Sequence, residues 1–450
     1  MIRPKPFAVF IILLTLCLII GPLGSPAQDT AGVLSMKEQS SVVLNITRLR
    51  LDRLLPKIMR ETNFDMWIIV CQEDDLDPVF KTMIPYRQWC PITQMLIFFD
   101  PGDGRDVERL NLSRTDMQGL HRNAWDFGAW DREKKESQWA CLERIVRERD
   151  PKRIGINESE VIWAADGLSS SLKKKLAESL GPRYAARLQS AEALSTLWLE
   201  TLLEEEFALY ERAAAISHAF IAEALSNRAV TPGFTTTDDL VHFCHQKAAN
   251  LGLTLEACTF GIWGRDPREI EKYGKKDNVI RPGDLVHCDL CLMYLMYHAD
   301  QQQWGYVLRP GEDDAPEGLK RVLAEGNRLQ DVFMGELKAG LTGNEILRNI
   351  LAKAKEAGIG SPKIYSHSVG YYLHEPGPLI GLPWEQSDTG GRGDVKLVPN
   401  SLLAMESAVA LPIPEWNNSP LRFALEENIF FTPEKAAFFD GRQTKFHLIK

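Results

Sequence analysis

Two aspartates, Asp289 and Asp300, stand inside the run GDLVHCDLCLMYLMYHADQQQWGYVL at 283–308, which is otherwise apolar and rich in strand-forming residues. An ionised carboxylate in a buried strand must be paired or bound to a metal, because leaving water is otherwise too costly. The run reads as two strands with a turn near Met293 to Leu295, an arrangement that lets both carboxylates meet at one point. Either Asp alone fits a turn or an arginine pair equally well. The balance changes with His367 and His374 in YSHSVGYYLHEPGP, Glu406 in LLAMESAVAL and Glu426 in RFALEENIFFT, each in or beside an apolar, strand-like run. Four carboxylates and one imidazole make a hard, oxygen-rich ligand set that suits Mn, or Co and Fe, better than a closed structural zinc site. So many buried acids point to two ions rather than one, and an ion pair can activate a shared water while polarising a carbonyl.

The order of these residues resembles the pita-bread metallopeptidases: aminopeptidase P, prolidase, methionine aminopeptidase and the related creatinase. It runs Asp289, ten residues, Asp300, then His367, then His374-Glu375-Pro376 seven residues on, then Glu406 and Glu426 in separate strands. The resemblance covers 195–440, and the segment before it is more loosely similar to the N-terminal domain of the creatinase and aminopeptidase P branch. It implies an α/β (α+β) chain in which a small N-terminal α/β domain precedes a pseudo-two-fold catalytic domain. It further implies that Asp289 chelates one of two divalent ions, that Asp300 and Glu426 bridge them, and that His367 and Glu406 complete the second. Mn is the first expectation for the metal, with Co, Zn and Fe as alternatives. In the same family pattern His374 contacts the substrate amide and steadies the tetrahedral state, and Glu406 also accepts the proton of the attacking water.

The implied activity is hydrolysis of peptide bonds in short peptides by an Xaa-Pro aminopeptidase- or dipeptidase-like enzyme. Three departures put proline selectivity in question. No histidine lies between Cys258 and Arg281, where these peptidases carry one ahead of the first Asp. Lys363 stands four residues before His367, where aminopeptidase P and prolidase share a histidine, and Ala424 stands two before Glu426, where they carry arginine. Arg422, His287, His298 and Trp384 are the candidate replacements; each of the two histidines lies two residues before a ligand Asp and so on its face of the strand. Two other readings stay open: an inactive binding or scaffold protein on the same fold, and a creatinase-like amidinohydrolase. Creatinase-like members lose the metal carboxylates, which this chain keeps.

The elements that must position these residues follow from pattern and composition. With 450 residues, 44% hydrophobic and 25% charged, the chain is an ordinary globular protein with length for two or three domains. Its net charge of -9, with no offsetting basic cluster, argues against a nucleic-acid partner. Residues 1–27 carry Arg3 and Lys5, an apolar run and small residues at Ser25 and Ala27, the layout of a cleaved export signal. That leaves no stable membrane association afterwards and a periplasmic or secreted product.

A first domain over 35–192 is expected, with strands at 66–71, 95–100 and 153–157 and helices at 44–61, 137–149 and 158–179. The catalytic domain is expected over 193–450, entered by a helix or helix pair at 193–228 on which His218 packs. Within it, 231–253 and 338–359 share a Gly, an apolar residue, a Thr, acids opening a helix and a closing Gly, a weak internal repeat. The acidic run Glu73 to Asp77 and His121 read as solvated surface, and Cys288 and Cys291 as core. The loop at 381–400 reads as a site-side loop. A homodimer is left open. Mass spectrometry of the native protein should find a mature chain beginning near Gln28; retention of residues 7–21 would overturn the expected cleavage.

Overall fold

The computed structural model describes residues 32–102, 104–126 and 136–450; the expected leader lies outside them. The first periodic stretch forms a helix over Met36–Leu49 that continues through a wider turn at Arg50–Leu54 into Leu55–Glu61. It starts earlier than the pattern suggests because Ser35 caps it. The Ser35 hydroxyl accepts the Glu38 N–H and the Glu38 carboxylate accepts the Ser35 N–H, so two otherwise orphaned donors are satisfied.

The strands β1 (Met66–Gln72), β2 (Thr93–Phe99), β3 (Glu108–Asn111), β4 (Arg122–Asn123), β5 (Ile154–Ile156) and β6 (Leu188–Ser190) form one sheet in the order β4-β3-β2-β1-β5-β6. Helix Gln138–Arg149, capped by Ser137, packs its apolar face on it. The helix expected over 158–179 begins only at Ser170. Ser159 Oγ takes the N–H groups of Val161 and Ile162, and a 3₁₀ turn follows at Trp163–Ala165. Asp77 is no solvated loop acid either: it is buried, caps Pro78–Lys81 through the Phe80 N–H, and accepts from Asn157 Nδ2 at 2.9 Å. His121 is likewise buried rather than superficial, its Nε2 at 2.8 Å from the Met83 carbonyl.

The entry stretch is a helix pair, Glu192–Glu200 and Glu204–Ala224. Arg50 ties the first helix to it. Its buried guanidinium donates to Glu206 at 2.8 Å, to the carbonyls of Thr201 and Trp198, and lies over the rings of Trp198 and Tyr371. Tyr297 also donates to Glu206, at 2.8 Å. His218 is more than packing: its nitrogens stand 2.8 Å from Glu427 and 2.8 Å from Asp440, and the hydrogen bonds to these two carboxylates, outweighing burial, hold its pKa up at about 9.

The second sheet contains β7 (Thr254–Gly264), β8 (Leu285–Tyr294), β9 (Tyr297–Val307), β10 (Lys363–Ser368), β11 (Ser401–Ile413) and β12 (Ser419–Phe431) in the order β10-β11-β12-β9-β8-β7, with two short additions at Ala436–Phe438 and His447–Ile449. The internal repeat explains this order. Helix Thr237–Leu251, with Thr236 and Asp239 as a capping box, leads into β7 at one edge. Helix Gly343–Glu356, with Thr342 and Glu345 as its box, leads into β10 at the other. Each edge strand pairs with a long antiparallel two-strand unit, and the halves join where β9 meets β12.

Helix Glu317–Glu336 covers β11 and β12 with an apolar layer that includes Leu319, Leu329, Phe333, Leu403 and Phe423, and helix Gly343–Glu356 packs beside it. β8 and β9 turn through Leu295 and Met296, both in left-handed conformation (φ 53 and 72). Among the described residues, no helix is long and apolar enough to cross a membrane.

Burial pushes the His121 pKa down to about 4, whereas a histidine in the unfolded chain titrates near 6.5. The folded state therefore holds fewer protons between these values, so its contribution is whole above pH ~6.5 and is lost as pH falls through ~4. The full effect is at most roughly 3 kcal/mol. In His121→Gln, the thermal midpoint should fall less between pH 7 and pH 4.5 than in wild type, measured by calorimetry in the same buffers.

Candidate metal centre

Strand register alone assembles most of the site. Asp289 on β8 is opposite Gln302 on β9, Gln302 is opposite Glu426 on β12, Glu426 is opposite Glu406 on β11, and Glu406 is opposite Tyr365 on β10. These residues form one transverse row across five strands. Asp300 and His367 stand two residues from the row on β9 and β10, which returns them to the same face.

Asp300, His367 and Glu426 are all buried, each with a ligand atom within 4.8 Å of the others'. His367 Nε2 is 3.7 Å from Asp300 Oδ2, 3.5 Å from Glu406 Oε1 and 4.0 Å from Glu426 Oε1. Those separations are too long for hydrogen bonds. His367 Nε2 and Glu426 Oε1 are accordingly buried without a partner. Asp289 borders the cluster: burial first, then the charge of Glu406, raises its pKa to about 6. Asp300 and Glu426 are pushed well above the carboxylate range by burial and by the neighbouring acids. Acids that repel, an imidazole nitrogen with nothing to bind, and an orphaned carboxylate oxygen fit a divalent cation coordinated by oxygen and nitrogen.

A residue that sequence reasoning missed lies at the centre of the row. Gln302 Nε2 donates to Glu426 Oε2 at 2.7 Å and to Glu406 Oε2 at 2.9 Å, and its Oε1 is 3.0 Å from His287 Nε2. His287 is held between the rings of Trp263 and Trp304, at 4.4 and 4.5 Å between centroids. The signal was available: three consecutive glutamines in an otherwise apolar strand need partners, and Gln301, Gln302 and Gln303 are all buried.

His374 packs edge-on against His367, with ring centroids 4.4 Å apart. Burial, then the charges of His367 and Arg392, lowers its pKa to about 4, so the imidazole is neutral near pH 7. It opens on a cleft of about 430 Å³ also lined by Lys81, Trp163, Glu256, Met296 and His298. Lys81 and Trp163 come from the N-terminal half, and Trp163 Nε1 donates to the His374 carbonyl at 3.1 Å. His298 does not join the acids: its Nδ1 is 3.2 Å from the Gly370 carbonyl and its Nε2 is 3.9 Å from Glu256.

Lys363, Arg422 and Ala424 line a shallow cleft with Glu406, while Trp384 is exposed on its loop. The expected site-side loop does reach the motif, through a hydrogen bond from Arg392 to the Glu375 carbonyl. Cys288 and Cys291 are core residues as expected, and all seven described cysteines are free thiols.

The fold is shared with solved structures at low identity. An X-Pro aminopeptidase from Thermotoga maritima is 16% identical with a TM-score of 0.57, over 87% of this chain and 99% of that one. An Xaa-Pro dipeptidase from Bacillus anthracis is 16% identical with a TM-score of 0.55, over 91% and 100%. The N-terminal domain of a FACT complex subunit from Cicer arietinum is 11% identical with a TM-score of 0.56, over 90% and 99%. No curated protein sequence matches the chain. The sequence pattern of metallopeptidase family M24 matches residues 208–433, which take in the whole transverse row with Asp300, His367 and His374, and the chain belongs to that family of pita-bread peptidases.

Proposed function

We propose that the protein hydrolyses peptide bonds in short peptides with two divalent ions, Mn foremost, and that it is exported. The observation that carries this reading is the cluster of Asp300, His367 and Glu426, where a buried imidazole nitrogen and a buried carboxylate oxygen face each other unpartnered. Asp289, Asp300, His367, Glu406 and Glu426 would hold the ions, which supply Lewis-acid polarisation of a carbonyl and activation of a water. The protein's own contribution is positional. His374, neutral and packed against His367, would donate to the substrate carbonyl oxygen as it gains charge. Glu406 holds the proton released by water until the leaving nitrogen takes it. The cleft beside His374, closed on one side by Lys81 and Trp163, has room for a few residues of extended peptide rather than a folded substrate.

Proline after the scissile bond is not required in this reading. Lys363 and Ala424 offer one ammonium and one methyl group to the shallow cleft beside Glu406, a different set of contacts from a histidine and an arginine. Loss of a polar contact made in the transition state reduces discrimination by orders of magnitude unless another group replaces it. A second reading, a binding protein without activity, draws support from that altered shell.

The test is a panel of di- and tripeptides with Pro or Ala at the second position, assayed with Mn and with chelator. Hydrolysis should need the metal, Ala and Pro substrates should differ by less than about tenfold in kcat/KM, and Asp300→Asn should lose more than about 100-fold in kcat. Strict proline dependence would refute the selectivity, and metal-independent turnover or full activity in Asp300→Asn would refute the mechanism. An inactive wild type that still binds Mn would favour the binding-protein reading.

A further inference from the structure

The Gln302 carboxamide has every hydrogen-bonding group engaged by the site. Its Nε2 reaches Glu426 Oε2 at 2.7 Å and Glu406 Oε2 at 2.9 Å, and its Oε1 lies 3.0 Å from His287 Nε2. Turning the amide over would set its carbonyl oxygen against the two glutamate oxygens, and His287, held between Trp263 and Trp304, keeps a ring nitrogen beside Oε1 as it stands. The two glutamates it bridges are direct cross-strand neighbours, where like charges ordinarily splay apart. The amide instead holds both Oε2 atoms together, and the two Oε1 atoms are left facing His367 Nε2 at 3.5 and 4.0 Å, with Asp300 Oδ2 at 3.7 Å.

One ion position is therefore assembled in advance: Asp300 Oδ2, His367 Nε2, Glu406 Oε1 and Glu426 Oε1. An ion on the Asp289 side would draw on Glu426 Oε2, the oxygen that accepts the shorter of the two Gln302 bonds. We infer that Gln302, oriented by His287, is a positioning residue that makes the two ion positions unequal, favouring the His367 position and weakening the Asp289 position. This inference rests on the two-ion reading above. It concerns ion occupancy and does not require that any peptide be cleaved. Hydrogen bonds to charged groups are strong enough that losing one changes an affinity by about tenfold or more.

Mn titration of the metal-stripped full chain, followed by the free-ion electron paramagnetic resonance signal and by calorimetry, reads the two stepwise affinities. Wild type should bind one Mn at least about tenfold more tightly than the second. Gln302→Met keeps the volume and removes both donors; it should bring the two affinities to within about threefold by tightening the second and loosening the first. His287→Phe, which keeps the ring stack but frees the amide, should move the ratio the same way by less.

A folded Gln302→Met variant with an unchanged ratio would overturn the inference, as would a wild type that binds two Mn equally or none. A Gln302→Met that weakens both ions alike would reduce Gln302 to a structural residue and also overturn it. If the wild type hydrolyses peptides but the ratio does not move, only this inference fails; if the ratio moves and no peptide is cleaved, only the hydrolytic reading fails.

Discussion

Glu406 and Glu426 face each other on neighbouring strands with Asp300 close by, and their mutual repulsion inside a sheet is the constraint around which the second half of the molecule is built. Nothing in an apolar β-sheet tolerates such a grouping unaided. The chain answers it in two ways. Gln302 supplies two N–H donors at the centre of the row, and His367 presents an unpartnered nitrogen to the remaining oxygens. Both depend on register: a slip of one residue in β9 would turn Asp300 and Gln302 to the opposite face and bring Gln301 and Gln303 to the acids instead. That opposite face is already committed, since Gln301 meets His218 and Gln303 meets Glu427 there. The paired residues Glu426 and Glu427 thus serve opposite faces of one strand, the first in the acid cluster and the second pinning β12 to the helix that carries His218.

Much of this was legible in the sequence, for a physical reason. Charges placed in apolar strand patterns are conspicuous, so Asp289, Asp300, Glu406 and Glu426 declare themselves, as do the Thr-acid helix starts that repeat at Thr236 and Thr342. What escaped was whatever depends on a partner far along the chain. His121 reads as surface because its neighbours in sequence are polar, and it is buried because Met83 and the ring of Phe98 cover it. His218 sits on a helix whose pattern is amphipathic, and only folding brings Glu427 and Asp440 to its two nitrogens. The helix start at 158 looked sound by periodicity, but Ser159 satisfies local N–H groups with its own hydroxyl and postpones the helix. Gln302 carries no charge to mark it, and only its burial among the acids gives it a role.

The N-terminal half contributes more than a cover. Arg50 is fully buried, more than a hundred residues before its main partner Glu206, and its guanidinium also stacks on Tyr371, three positions before His374. Removing either member of such a pair leaves an uncompensated charge in the interior, a large penalty compared with a typical net stability. The first helix, the entry helices and the motif around His374 therefore stand or fall together, and hydrogen bonds from Tyr372 to the Pro78 carbonyl and from Trp163 to the His374 carbonyl tie the cleft wall to that motif.

β8 and β9 meet in a tight turn at Leu295 and Met296. Tight hairpins favour Asn-Gly or similar pairs because both central residues adopt left-handed angles, and this chain places Leu295 and Met296 there instead. Leu295 is buried and lines a small void with Val43, Ile46 and Tyr371, and Met296 forms part of the cleft wall with His298. The hairpin tip thus joins three surfaces, the first helix, the sheet and the mouth of the cleft, and the backbone strain is tolerated because the side chains are wanted there. A methionine in that position is compliant, able to change rotamer without moving the strands that carry Asp289 and Asp300. The shape of the cleft mouth can then drift through a single flexible residue, while the geometry of the acids beneath stays under the separate control of the sheet.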